Sequence, residues 1–132
     1  MAREATATDS VRPQDNHGAP KRAFFRIMQA WGVGDAEART LLGSPSRSTF
    51  YNYKRGEGGP LPADTLERIS YVLGIYKALR LLFPNREQAD RWMRRPNQAF
   101  GGRTALDHAL GGKVVDLATV RAYLDAVRGH GL

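Results

Sequence analysis

Apolar side chains recur at helical intervals through most of this chain, and residues that start or stop helices bound each run. From Lys21 onward, Phe24, Phe25, Ile27, Met28 and Trp31 draw one apolar stripe over about three turns, closed by Gly32. Asp35 stands where an N-cap is expected for a helix over 36–42, and Gly43 suits the left-handed position that follows it. After the turn Ser44-Pro45-Ser46, Ser46 is placed to cap a short helix over 47–54, with Phe50 and Tyr53 on one face. Residues 55–60, Arg-Gly-Glu-Gly-Gly-Pro, break the pattern and predict an exposed loop.

The longest predicted helix covers 63–83. Leu66, Ile69, Leu73 and Tyr76 form one stripe on it, and Val72, Ile75, Leu79, Leu82 and Phe83 form a second. Two stripes on one helix predict burial on two sides, as in a central helix that links two bundles. Gly74 sits inside it at a cost of about 1 kcal/mol relative to Ala, which points to close packing or a local bend. Pro84 ends the helix. Asn85 and Gln88 then form a capping-box pattern for a helix to about residue 94 that presents Trp92 and Met93. A turn-rich stretch leads to a short helix over 104–110, then Gly111-Gly112. A last helix over 116–128 places Leu117, Val120, Tyr123, Leu124 and Val127 on one face. Lys113-Val114-Val115 is too short to count as a strand. The fold class is all-α. Residues 1–20, mixed in Ala, Thr, Asp, Gln and Pro without a hydrophobic period, are expected to be a mobile arm. Residues 21–83 are expected to form one unit and 84–132 another.

Composition narrows what such a helical protein can do. Of the 132 residues 42% are hydrophobic, enough for a core, and no apolar run approaches the roughly 18 residues of a membrane span. The first 20 residues lack the apolar segment of a secretory signal. The absence of cysteine removes disulfides and thiolate metal sites and suits a cytoplasmic location. His17, His108 and His130 lack metal-ligand spacing, so no metal and no cofactor is expected. Asp107-His108 has no nucleophile to complete a triad, and no GxSxG, phosphate-loop or HExxH pattern occurs, which argues against an enzyme and against a small-molecule substrate. Asp64 and Glu67 suit the first turn of a helix, where its dipole favours acids. The net charge of +7 points to a polyanion or an acidic protein surface as partner. Residues 1–60 carry nine Lys/Arg against six Asp/Glu, and 61–132 carry eleven against seven, so charge alone does not locate the contact.

Residues 35–55 have the layout of a helix-turn-helix. A recognition helix must offer hydrogen-bonding side chains to base edges while its other face adheres to the scaffold. Phe50 and Tyr53 are the adhesive side; Arg47, Ser48, Thr49 and Asn52 occupy the polar one. Arg47 can donate two bonds to a guanine edge and Asn52 can pair with adenine, Lys54 and Arg55 suit phosphates, and Tyr51 suits backbone or a thymine methyl. Two features depart from the usual motif. The turn before Phe50 is one residue longer, and Arg39 stands where a small residue lets the helices approach.

The run RWMRRPNQAFGGRTALDHALGG, followed by Val120-Arg121-Ala122-Tyr123-Leu124, is the most specific pattern in the chain. Trp92 and Phe100 are expected to bracket the turn at Pro96-Asn97 as a small aromatic core, with Gly101 and Gly102 permitting backbone closed to other residues. Leu106 and Leu110 would pack on Val120 and Leu124. Arg91-Trp92, Pro96-Asn97, Phe100-Gly101 and Val120…Leu124 resemble the toxin-binding domain of the Xre/ParS/MbcA antitoxin family, whose N-terminal half is a helix-turn-helix. The resemblance covers 21–132 and departs at Ala105, where the family commonly has proline and where a softer helix start is expected. It implies an Xre-like DNA-binding bundle joined by a long central helix to a small α-helical toxin-binding domain. It also implies a RES-domain toxin as partner, an enzyme that consumes NAD or transfers from it, whose active site the antitoxin covers. Autorepression through operator DNA, as a homodimer, is implied as well. The toxin-facing candidates that follow are Arg94, Arg95, Asn97, Arg103, Arg121, Tyr123, Arg128 and the tail His130 to Leu132. Arginine suits such an interface because its planar fork pairs with carboxylates. The alternative is a free-standing helix-turn-helix regulator whose C-terminal half serves only dimerisation.

Overall fold

The computed structural model describes residues 16–129. Among these residues there are seven α-helices and two single turns of 3-10 helix, with one isolated bridge between Pro96 and Thr104 as the sole extended pairing. Helix α1 spans Gly18–Ala30, α2 Asp35–Leu41, α3 Arg47–Lys54, α4 Ala63–Leu82, α5 Arg86–Arg91, α6 Ala105–Ala109 and α7 Val114–Gly129. The fold is all-α.

Most helix starts follow the residues that predicted them. Ser46 accepts a hydrogen bond from the backbone N–H of Thr49 at 3.2 Å, and Asn85 from that of Gln88 at 3.1 Å. Two differ. Helix α1 begins three residues before Lys21, because His17 takes a left-handed conformation (φ 56°) and its Nδ1 accepts the N–H of Leu61 at 2.8 Å. Residues 1–15 of the expected arm lie outside the described residues. At α2 the cap position belongs to Gly34, and the Asp35 carboxylate reaches across to α3 instead. The start of α6 is firm despite Ala105: Thr104 accepts from the Asp107 N–H at 2.9 Å and Asp107 accepts from the Thr104 N–H at 3.4 Å, a reciprocal cap that replaces the missing proline.

One continuous cluster of buried side chains joins all parts. Phe24 and Ile27 of α1, Trp31 at its C-terminal cap, Leu41, Phe50, and Ile69, Val72, Ile75 and Leu79 of α4 run on into Met93, Leu106, Leu117, Val120 and Leu124. Each such side chain stabilises the fold by about 1.5–3 kcal/mol relative to exposure. Helix α4 is packed by α1 and by α7. Its two predicted stripes merge into one broad buried face, with Leu66, Leu73, Tyr76 and Leu82 half-buried at its margins. Gly74 is explained by close packing: a β-carbon there would coincide with the guanidinium of Arg121, which lies across α4 from α7.

Polar bonds to backbone carbonyls tie the front of the chain to the back. Arg94 Nε donates to Trp31 O at 2.9 Å and its Nη2 to Gly32 O at 2.6 Å, at the C-terminal end of α1, where carbonyls lack helical partners. Glu37 lies 3.6 Å from the same guanidinium. Arg68, buried in α4, bonds Asp64 at 2.8 Å and the carbonyl of Gly112 at 2.8 Å. Lys21, only 1% exposed, donates to the carbonyls of Glu57 and Gly59 at 2.9 and 2.6 Å beside the Tyr53 ring, and so shapes the loop after α3.

Arg94→Ala is expected to cost about 1 kcal/mol of unfolding free energy and Arg68→Ala about 2–3 kcal/mol, whereas the exposed Arg95→Ala stays within about 0.5 kcal/mol. Chemical denaturation checks this; equal midpoints for Arg94→Ala and Arg95→Ala would remove the Arg94 tie. Burial holds the Lys21 ammonium below its ordinary 10.5. The unfolded chain therefore keeps that proton to higher pH than the folded one, and stability rises with pH in the interval below 10.5. Stability of the native protein relative to Lys21→Met should grow as pH climbs through this interval; a pH-independent difference would contradict it.

Candidate functional site

Helix α3 is clamped by its buried side and presents the rest. Phe50 and Tyr53 are in the core, and Phe50 meets the rings of Phe25 and Tyr51 edge-on at 5.4 and 5.2 Å. The side chains expected on the outer face are there. Arg47 and Ser48 are exposed at the first turn, and Arg47 has no partner among the described residues. Thr49 accepts from the Ser46 hydroxyl at 2.9 Å, so it is partly engaged in the cap. Asn52 accepts from Arg55, and Arg55 also pairs with Glu57 at 3.3 Å. Lys54 and Tyr51 both converge on Asp35, at 2.7 and 3.3 Å. This carboxylate holds two side chains of α3 in fixed directions, a role invisible while it was read as a cap.

The two departures from the usual motif explain each other. The longer turn places Ser44 in the left-handed region (φ 58°), and Arg39 Nε bonds the carbonyl of Pro45, so the oversized side chain fastens the extra length. Two clefts flank Asp35. One, of about 330 Å³, lies between α2 and α3 and is lined by Arg39, Arg47 and Tyr51. The other, of about 380 Å³, lies between α1 and α3, with Arg22 and Arg26 facing Lys54. The sequence pattern passed over Arg22 and Arg26 because cations on the outer face of a helix ordinarily mark only solvent; the spacing of four that puts them on one side of α1 was the available signal.

The second surface is built after Pro84. Pro96 to Thr104 forms a closed turn: the Asn97 N–H bonds the Arg103 carbonyl at 2.9 Å, and Asn97 Oδ1 accepts the N–H of Ala99 at 2.9 Å. Gly101 and Gly102 close it with φ of 70° and 85°, as expected of glycine. The aromatic arrangement differs from the expected pair. Tyr123 lies between Trp92 and Phe100, stacked on the first at 6.1 Å and edge-on to the second at 5.6 Å, and Phe100 continues to the His108 ring at 5.2 Å. All four side chains are half-buried, so the row is a surface feature as well as a support. Trp92 and Tyr123 also line a groove of about 270 Å³ with Leu82, Phe83 and Val127.

The arginines expected at this surface fall into two groups. Arg94 is turned to α1, and Arg121 bonds Asp125 at 3.1 Å while lying over Gly74. Arg95 and Arg103 are exposed; Arg103 touches the Asp107 carbonyl at 3.2 Å, and Arg95 has no partner among the described residues. Arg128 lies 3.9 Å from Asp125. His130 and Leu132 fall outside the described residues. No helix is long and apolar enough to cross a membrane among the described residues, and no group of three or more His, Asp or Glu there could hold a metal.

Residues 10–74 match the model of the antitoxin Xre-like helix-turn-helix domain, and residues 78–129 that of the antitoxin Xre/MbcA/ParS C-terminal toxin-binding domain. The two matches meet inside α4. The chain is also 55% identical over 111 residues to uncharacterized protein y4oB of Sinorhizobium fredii (strain NBRC 101917 / NGR234), which covers 84% of this chain and 85% of that protein. With a DNA-binding helix-turn-helix in front and a toxin-binding domain behind, the chain belongs to the Xre/MbcA/ParS family of toxin–antitoxin antitoxins.

Proposed function

We propose that this antitoxin neutralises a RES-type toxin, one that consumes NAD or transfers ADP-ribose from it, and that it does so by binding and not by catalysis. In this reading residues 84–132 cover the toxin's active site, while α3 of a homodimer represses the antitoxin's own operon. The observation that carries it is the half-buried row Trp92–Tyr123–Phe100, in the part of the chain that matches a toxin-binding domain and that also exposes Arg95 and Arg103. Half-buried rings on a domain that also exposes arginines suit a protein interface, where aromatic and arginine side chains carry most of the binding energy. Because Arg94 bonds the end of α1 and Arg121 lies over Gly74, this reading assigns the exposed Arg95, Arg103 and Arg128, with the tail 129–132, to the toxin.

On the DNA side, Arg47 and Asn52 read base edges and Lys54 and Arg55 meet phosphates in this proposal. Arg47→Ala with Asn52→Ala is expected to weaken binding to a preferred duplex by at least tenfold, roughly 1–3 kcal/mol per lost base contact, with toxin neutralisation intact. Gel-shift titration and growth on coexpression with a RES-type toxin, if one is encoded in the same operon, check the two halves; joint loss of both functions would point to misfolding or a wrong assignment.

The complementary variant reverses charge at Arg95 and Arg103 and deletes residues 129–132. It is expected to release the toxin's NAD-consuming activity while duplex affinity stays within about twofold. Absence of any RES-domain protein among those that copurify with the native antitoxin from its host, or a copurifying one that it does not inhibit, would overturn the RES assignment and favour a free-standing regulator.

A further inference from the structure

The cleft between α1 and α3 is lined by Asp35 and by Lys54, one of the two α3 side chains that Asp35 holds. One wall carries Arg22 and Arg26, four residues apart on α1, and the other carries Lys54. Both arginines are exposed, and neither has an ion pair or hydrogen-bond partner among the described residues. Asp35 is the acidic side chain lining this cleft, and it is already engaged with Lys54 and Tyr51. The cleft is therefore a cationic recess with about 380 Å³ of space, next to the helix that the reading above assigns to base contact. Two guanidiniums without a partner among the described residues raise the local potential there, and an anion that both can reach is attracted to it.

We propose that this recess seats the sugar-phosphate backbone of duplex DNA, with Arg22 and Arg26 as the contacting donors, so that α1 fixes the register in which α3 enters the groove. The inference rests on the assignment of α3 to DNA and extends it to a second element. Guanidinium forks suit phosphate oxygens geometrically, and contacts of this kind position a protein without reading sequence. Lys54, tethered to Asp35, forms the opposite wall and is kept from folding onto the arginines.

The signature is a loss of affinity that ignores sequence. The full-length protein would first enrich a preferred duplex from a randomised pool; that duplex and a scrambled one of equal length then serve as probes. For Arg22→Ala with Arg26→Ala, both affinities are expected to fall by the same factor, about three- to tenfold per arginine, and the dependence of log affinity on log salt to flatten by about one per arginine. The ratio between the two duplexes should not move. The paired Arg22→Lys and Arg26→Lys variant keeps the charge, should retain most of the salt dependence, and guards against a folding artefact, with thermal melts as control. Unchanged affinity and salt slope in the alanine variant, while Arg47→Ala with Asn52→Ala loses preferred binding, would overturn the recess and leave α3 standing. A fall confined to the preferred duplex would also overturn it, since that is base reading. If no duplex is enriched, or if the α3 variant has no effect either, the DNA assignment of α3 fails and takes this inference with it.

Discussion

Ile69, Val72, Ile75 and Leu79 leave water only because helices from both ends of the chain close on α4. A twenty-residue helix with apolar groups around more than one side is unstable alone, and half of this chain would cover one flank of it and leave the other wet. The dual burial of α4 is the constraint from which the arrangement follows. It explains why the family matches meet inside a helix and not in a linker. It also explains why the polar ties between front and back lie at its margins, with Arg68 reaching Gly112 and Arg94 reaching the end of α1.

The two proposed surfaces are products of that shared core. Phe50 and Tyr53 anchor α3 from beneath and leave its polar side outward. On the other half, Met93, Leu117, Val120 and Leu124 are buried, while Trp92, Tyr123 and Phe100 sit at the boundary between core and solvent. An antitoxin needs two separable contacts on one small body. Here the proposed contacts are on different elements, and a single hydrophobic cluster holds both sets in place without belonging to either.

Much of this was legible from residue order. The spacing of apolar positions located the helices, because periodicity follows from which side of a helix must leave water, and Ser46, Asn85 and Gly43 marked ends through local backbone chemistry. The pattern at Arg91-Trp92, Pro96-Asn97 and Phe100-Gly101 led to the family. What stayed hidden were the destinations of long or charged side chains. Arg94 and Arg121 look like free surface cations in one dimension. Whether such a side chain turns inward depends on an unpaired carbonyl or a missing β-carbon brought near by the fold, and Trp31 O and Gly74 lie far from them in sequence. Asp35 was misread for the same reason, since its partners are 16 and 19 residues away. In sequence Lys21 has the place of a helix edge, yet the carbonyls of Glu57 and Gly59 draw it into the interior.

The most direct test of the shared core uses the two tryptophans, Trp31 in α1 and Trp92 after α5, as separate reporters. Fluorescence-monitored denaturation of the Trp31→Phe and Trp92→Phe proteins, each compared with circular dichroism on the same sample, asks whether the two halves unfold together. Burial of α4 by both halves predicts that each fluorescence transition coincides with the loss of helix in its own protein. A Trp92 signal lost well before the helical signal, or a Trp31 signal that outlasts it, would show two independently stable units and contradict the account.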